Sequence, residues 1–539
     1  MKKHLKLLLC LLTLACLLCV SVQAEEAEQP MVEETCSGIM QAGELPEWRA
    51  SADVQSVQSD AQSVRADWEA AKQAVKDGLR KLEPEIGLYD CAIPMDRRQE
   101  LYAEAINESP ELFYVSAQYV MTEKDGCIDT IYPRYLADGQ STATLSEADI
   151  LAISRQQDDL EEKIAEILAP VDEKWTDLEK ALYLHDYLAT HAQYDLTYSI
   201  YDAYTILMTG KGVCMAYALA YKLLMGRVGA PCGTVASSNL NHMWNIIQID
   251  GEWYHVDVTW DDPVADQIGR SRHLYFCFSD EKNKTIGGEN PHCSNDMIYE
   301  PKVAASSTKY DEYYWIDNNR AFAPVHEKWY YLKMDYEGRS PVYWLMETEN
   351  PEQPGTQKKR VTARWYVWEN PYSFWRDFCS GLSIFNNKLI YNTQDTIYSY
   401  DPLTGKEQEI YTLTAEQQRT GYIYSSTVTG NVLQYILAQR PQQPDPVYYS
   451  IQLDPYTTVA AGGYACYVKN GTLYLKRSGA QKGSVLAAWY DVNGKMLGMR
   501  LLNQQELTIS VSGAKTVKVF AVAETSYTPL CEATVLLAS

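Results

Sequence analysis

The chain has 539 residues, 46% of them hydrophobic and 22% charged, the composition of a folded protein large enough for several domains. Its formal net charge is -24 and no basic run stands out, which excludes nucleic acid and anionic lipid surfaces as expected partners. The sequence carries no metal-protease or P-loop motif, and no cofactor or metal is expected.

Lys2, Lys3 and Lys6 precede an apolar stretch over residues 7–20, followed by Val22-Gln23-Ala24 and then Glu25-Glu26. That is the charged, apolar and small-residue order of a secretory signal peptide. The stretch is shorter than the roughly 20 residues that a membrane span needs, and the residues before Cys16 and Cys19 make a poor lipobox. Cleavage is expected after Ala24, giving a secreted or cell-surface protein with no transmembrane segment in the mature chain. Of 13 cysteines, ten lie beyond the signal, scattered from Cys36 to Cys531 with no C-x-x-C pair. This is neither a disulfide framework nor a zinc site.

Residues 25–75 are acidic and rich in Ser, Gln and Ala, and read as a lead-in. Residues 76–170 read as a mixed helix and strand region. A helix near 95–106 is followed by strand-like "ELFYVSAQYV" and "GCIDTIYPRYL", and Ser146 starts a helix that ends before Pro170. Thr176-Asp177-Leu178-Glu179 is a capping box. His185, on the apolar face of the helix it opens, reads as a hydrogen-bonded core histidine.

"GKGVCMAYALAYKLL", residues 210–224, is a turn leading into an apolar helical run, with Cys214 at its first turn. A cysteine in such a run is usually a small core residue. At a helix start, however, unpaired N–H groups and the helix dipole favour a thiolate. The sequence around it leaves both readings open. Downstream, in "NHMWNIIQIDGEWYHVDVTWDDP", Asp250-Gly251 between alternating apolar runs marks a two-residue hairpin. In that register Asp257 lies opposite Trp244, and His242 lies opposite Thr259. His242 and Asp257 are then diagonal neighbours on one face, with Cβ atoms about 7 Å apart or less. His255 shares the face but lies nearer the turn. Asp261 and Asp262, before Pro263, read as an Asx-type turn rather than a calcium site.

These segments resemble the core of the bacterial transglutaminase-like superfamily, with its papain-like Cys-His-Asp arrangement, over roughly residues 172–300. The resemblance implies Cys214 as nucleophile, His242 as general base and acid, and Asp257 as the orienting carboxylate. Papain-type enzymes place an oxyanion-stabilising glutamine before the cysteine, and "YDAYTILMTGKGVC" has none. The Cys214 backbone N–H is one candidate donor and Tyr204 the other. Trp244 and Tyr217 are candidate substrate walls, although aromatic residues beside such a trio are also ordinary core.

The domain expectation is therefore residues 171–304 for this core, 305–454 for Tyr-rich antiparallel β repeats, and 455–539 for a β-sandwich. The fold class is α+β. The expected function is a secreted, cysteine-dependent acyl transfer on peptide, protein or cell-wall amides through a thioester, with hydrolysis favoured over transamidation. The alternative is a non-catalytic cell-surface binding protein, with a surface glycan or protein as ligand of the β modules.

Overall fold

The computed structural model describes residues 34–35 and 60–537, apart from 138, 263–267, 289–291, 338–339, 376–379, 442, 444–445, 455–456, 460–463, 470, 478–483, 503–507 and 523–533. The signal segment and most of the acidic lead-in lie outside the described residues. The helix Asp60–Arg80 begins inside the stretch read as lead-in and runs across its expected end at residue 75. Its Trp68, Ala71, Val75 and Leu79 recur at helical spacing and are buried with Leu101, Tyr102 and Ala105 of the helix Arg98–Asn107. Packing, which composition does not report, thus extends the N-terminal unit back to Trp68. The same core takes one face of the hairpin Val115–Lys124/Cys127–Ala137. That hairpin turns through Asp125 and Gly126, both at positive φ.

Two capping boxes then start two helices. Ser146 and Asp149 cap Glu147–Leu168, while Thr176 and Glu179 cap Asp177–His191, each pair satisfying two otherwise unpaired N–H groups. The second helix packs against Cys214–Arg227, which lies on an all-antiparallel five-stranded sheet. Its strand order is Phe276–Phe278, Glu252–Val256, His242–Ile249, Cys232–Ser237, Ile298–Glu300. The tight hairpin at Asp250 and Gly251, with φ of 52° and 85°, pairs Ile249 with Glu252 and continues to Asn245 with Val256. Ile247, Ile249, Tyr254 and Val256 face the helices. The ladder ends there. Asp257 instead caps a short helix, Val258–Asp261, so the expected pairs Asp257–Trp244 and Thr259–His242 do not form. Trp260 packs with Tyr275 and Phe278.

Beyond residue 305 the chain is β. Meandering sheets Ala323–Val325 to Thr356–Val361, Leu382–Phe385 to Glu407–Thr412 and Tyr422–Thr429 to Val447–Gln452 follow one another. Two four-stranded sheets then close on one core, lined by Cys466, Leu473, Val485 and Val519. The expected boundary at 304/305 runs through a continuous core, however. Tyr310, Trp315, Phe322, Trp329, Tyr331 and Met346 are buried in the cluster that holds Tyr217, Tyr221 and Val256. These residues sit in turns and strands with no amphipathic period of their own, so their destination is a tertiary fact.

A buried polar knot fastens this junction. Asp186 Oδ1 lies 2.8 Å from His273 Nε2, 3.1 Å from His185 Nδ1 and 2.8 Å from the Ser271 hydroxyl. Its Oδ2 accepts from the Phe322 backbone N–H at 2.6 Å. His185 reaches Asp261 with its other nitrogen at 3.1 Å. His185 is thus the hydrogen-bonded core residue expected, but Asp261 takes the ring and the Tyr275 N–H, which makes it a core acceptor rather than a turn residue. Burial alone would lower the affinity of His185 for its proton. Hydrogen bonds to Asp186 and Asp261 and their charges outweigh it and push the pKa up to about 9.

His185 therefore stabilises the fold fully below its ordinary value of 6.5, and that contribution is lost as pH rises through about 9. Burial alone would raise Asp186, but the charges and hydrogen bonds of His273 and His185 hold it far below its ordinary 3.8. Its contribution is present above that value and fades as acid protonates it. Stability is expected to be greatest between these limits. Asp186→Ala takes one partner from each of two buried imidazoles and the acceptor from the Phe322 N–H, and is expected to lower stability by about 3–5 kcal/mol. Urea unfolding at neutral pH measures this, and a loss of less than about 1 kcal/mol contradicts it.

Candidate active site

Gly210 ends the helix Ala203–Thr209 in the left-handed conformation, where a Cβ would meet the His191 carbonyl at 2.8 Å. At Gly212 a Cβ would lie 2.6 Å from that of Ala216. The two glycines let the turn fold against the next helix and place Cys214 at its first position. Val213, the N-cap, offers no side-chain cap, so the positive end of the helix dipole lies beside Cys214 uncovered by the N-cap side chain.

Across from it, His242 opens its strand, paired with Ser237, and is 7% exposed. Its ring stacks on Trp244 with centroids 5.5 Å apart and hydrogen-bonds the Cys214 sulfur, which the Met243 backbone N–H also faces. The ring's Nε2 is 2.5 Å from Asp257 Oδ2. Asp257 is held from every side. Its backbone N–H donates to the Tyr275 carbonyl at 2.9 Å, and its Oδ1 accepts from the Trp260 N–H at 3.1 Å. The sheet register alone does not bring Asp257 to His242; its capping position does.

Burial alone would raise the Cys214 thiol, but the hydrogen bond and charge of His242, helped by Met243, bring it below its ordinary value. Burial likewise disfavours charge on His242, yet Asp257 and the sulfur push it up to about 10. Burial also works against the Asp257 charge, and His242 and His292 hold that carboxyl well below the usual range. Cys232 and Cys466, by contrast, are pushed by burial up to about 12, and Cys277 is raised well above its ordinary value. One thiol of the chain therefore differs in kind from these three.

The other sequence candidates go elsewhere. Tyr204 stacks on Phe113 at 4.2 Å, a packing role. The tyrosine at the cysteine is Tyr194, whose hydroxyl faces the Cys214 backbone N–H. Tyr217 is buried and donates to Asp262 Oδ2 at 2.6 Å. Trp244 is buried and donates to His255 Nδ1 at 3.0 Å; neither is a substrate wall. His255 also meets Asp280, at 2.9 Å. His292, which no sequence motif singles out, lies 2.6 Å from Asp257 Oδ2. It stands 35 residues from Asp257 in a segment without period, so no pattern marks it. The groups His242–Asp257–His292 and His185–Asp186–His273 each bring three ligand-type atoms within 4.8 Å. In both, hydrogen bonds already bridge those atoms.

A thiol-bearing helix facing an antiparallel sheet that carries the imidazole, with the carboxylate in the turn just after a strand, is the papain-like fold class. Residues 165–258 match the model of the transglutaminase-like superfamily, and the chain carries a transglutaminase-like domain of α+β fold. It is 26% identical to human kyphoscoliosis peptidase over 20% of this chain and 19% of that protein, so it spans about a fifth of that relative's length. The crystal structure of a TGase aligns over 31% of this chain and 48% of that one, at 16% identity and a TM-score of 0.18.

Iodoacetamide at mildly acidic pH is expected to modify Cys214 well before Cys232, Cys277 and Cys466, as read by peptide mapping. His242→Ala is expected to abolish that lead; equal labelling of all four thiols in the native protein contradicts the electrostatics.

Proposed function

We propose that the protein is an exported, cysteine-dependent acyl-transfer enzyme that cleaves peptide or protein amides through a thioester on Cys214. The observation that carries this reading is the thiol beside an imidazole whose far nitrogen lies 2.5 Å from a buried carboxylate. The name of the human relative, a peptidase, agrees with amide hydrolysis. Among the described residues no helix is long and apolar enough to cross a membrane.

The Cys214 thiolate attacks the amide carbon, and the carbonyl oxygen becomes an oxyanion that accepts from the Cys214 N–H and the Tyr194 hydroxyl. His242 gives its proton to the departing amine, leaving a thioester. Water then attacks while His242 takes its proton, and the acid leaves as the thiolate re-forms. Asp257 keeps the ring oriented and supports the imidazolium throughout. Transamidation needs a dry channel for an amine. Trp244 and Tyr217, the side chains proposed to wall one, are spent in the core, which favours water as acceptor. The working pH window opens where the lowered thiol ionises and closes as His242 loses its proton near 10.

A second reading, ligand binding by the β modules, draws support from a cleft of 1120 Å³ lined by Tyr183, Tyr187, His191, Lys388, Asp401 and Tyr467. None of Cys214, His242 and Asp257 lines it, so in this reading recognition and chemistry occupy separate places.

With a glutamine-containing peptide and a labelled primary amine, hydrolysis is expected to exceed amine incorporation, and Cys214→Ala is expected to lose both by at least about a thousandfold. Predominant amine incorporation that depends on Cys214 makes the enzyme a cross-linker. Activity surviving in Cys214→Ala removes the thioester mechanism.

A further inference from the structure

We propose that His292 is a positioning residue that competes with His242 for one oxygen of Asp257 and so weakens that carboxylate's hold on the His242 proton. This rests on Cys214, His242 and Asp257 acting as proposed for the reaction. Asp257 Oδ2 lies 2.5 Å from Nε2 of His242 and 2.6 Å from Nε2 of His292. An ionised carboxylate oxygen only accepts, so a ring nitrogen this close to it is one that carries a hydrogen; an oxygen that accepts from two imidazoles divides its charge between them, and each donor meets a weaker base.

The second imidazole is built in. His292 is fully buried, and its Nδ1 lies 2.7 Å from Oδ1 of Asn283, itself fully buried. Its ring is boxed by Trp244 at 4.6 Å, Trp260 at 4.9 Å, Tyr275 at 5.2 Å and Phe278 at 5.6 Å. The box draws on two strands, the Asp257-capped turn and the segment leading to Phe276–Phe278, so the ring does not turn away without displacing the sheet face. A histidine that served packing alone gains nothing from aiming Nε2 at an oxygen already in use.

The chemical gain lies in balance. His242 must hold its proton well enough to keep Cys214 ionised, yet release it to a departing amine. Asp257 alone, in this dry setting, favours the first task over the second. The titratable groups that face the set are few. Cys214 lies on the helix side, His255 with Asp280 on the neighbouring strand and helix, and Tyr275 with Asp261 beside the turn. None of these donates to Asp257 Oδ2 among the hydrogen bonds of the described residues.

The test is the pH dependence of Cys214 alkylation by iodoacetamide, which needs no substrate and reports ionisation of the thiol and then loss of the His242 proton. His292→Phe fills the box without a donor, and its alkaline step is expected about one pH unit above that of the native protein. His292→Gln restores an N–H donor and is expected to return the step to within about 0.3 unit. Asn283→Leu removes the Nδ1 anchor, together with a weak amide contact to Met297 Sδ at 3.7 Å, and is expected to shift the step the same way by less; it decides the matter if His292→Phe does not fold. An unmoved or lowered step in His292→Phe or Asn283→Leu overturns the proposal, as does an equal shift in His292→Gln and His292→Phe. The native protein is the separate control. If its Cys214 shows no alkylation at mildly acidic pH, the thiol reading itself fails, and this inference with it.

Discussion

A carboxylate taken out of water has to be given back the hydrogen bonds it lost, or it gives up its charge. Asp257 keeps its charge because the fold brings donors from separate places. The Trp260 N–H comes from the turn that it caps, one imidazole from the start of the strand His242–Ile249, and another from the segment between the strands Phe276–Phe278 and Ile298–Glu300. The hairpin, the short helix and the strand Phe276–Phe278 all meet there. Their placement determines whether His242 holds a proton, and His242 determines whether Cys214 is a thiolate.

Asp186 solves the same physical problem without chemistry. It too is buried between two imidazoles and accepts a backbone N–H, but its hydrogen-bond partners among the described residues include no thiol. They come from the capped helix, from the segment after the active-site turn and from the first residues of the β region. In the proposed reaction one centre orients a proton carrier, while the other ties the helix layer to the β region. Both show why a buried His–Asp pair alone does not identify a catalytic site; a nucleophile at a helix start is the added feature.

Local devices were legible in the sequence. Thr176 and Glu179, Ser146 with its acidic first turn, the Asp250-Gly251 hairpin and the glycine-framed Cys214 each carry their chemistry within a few residues. The hairpin register was readable as far as Val256, but not the change at Asp257, where the side chain bonds a backbone N–H three residues on and stops the strand. His292, Asn283 and Tyr194 were invisible for a different reason. Each reaches the site from irregular or very short segments, and only the assembled fold brings them near. Tyr204 had the right residue type and the wrong neighbour, Phe113. The boundary drawn at 304 followed a shift in composition, while the core followed the aromatic residues across it.

That shared core has a bearing on how the protein is made. Chains are synthesised from the N-terminus at about 5–20 residues per second, so residues 258 to 346 take on the order of ten seconds to appear. Until Phe322, Trp329 and Met346 arrive, the layer beneath the Cys214 helix lacks part of its packing and Asp186 lacks one of its donors. The packing beneath the Cys214 helix is therefore completed by residues synthesised after every side chain that touches its sulfur.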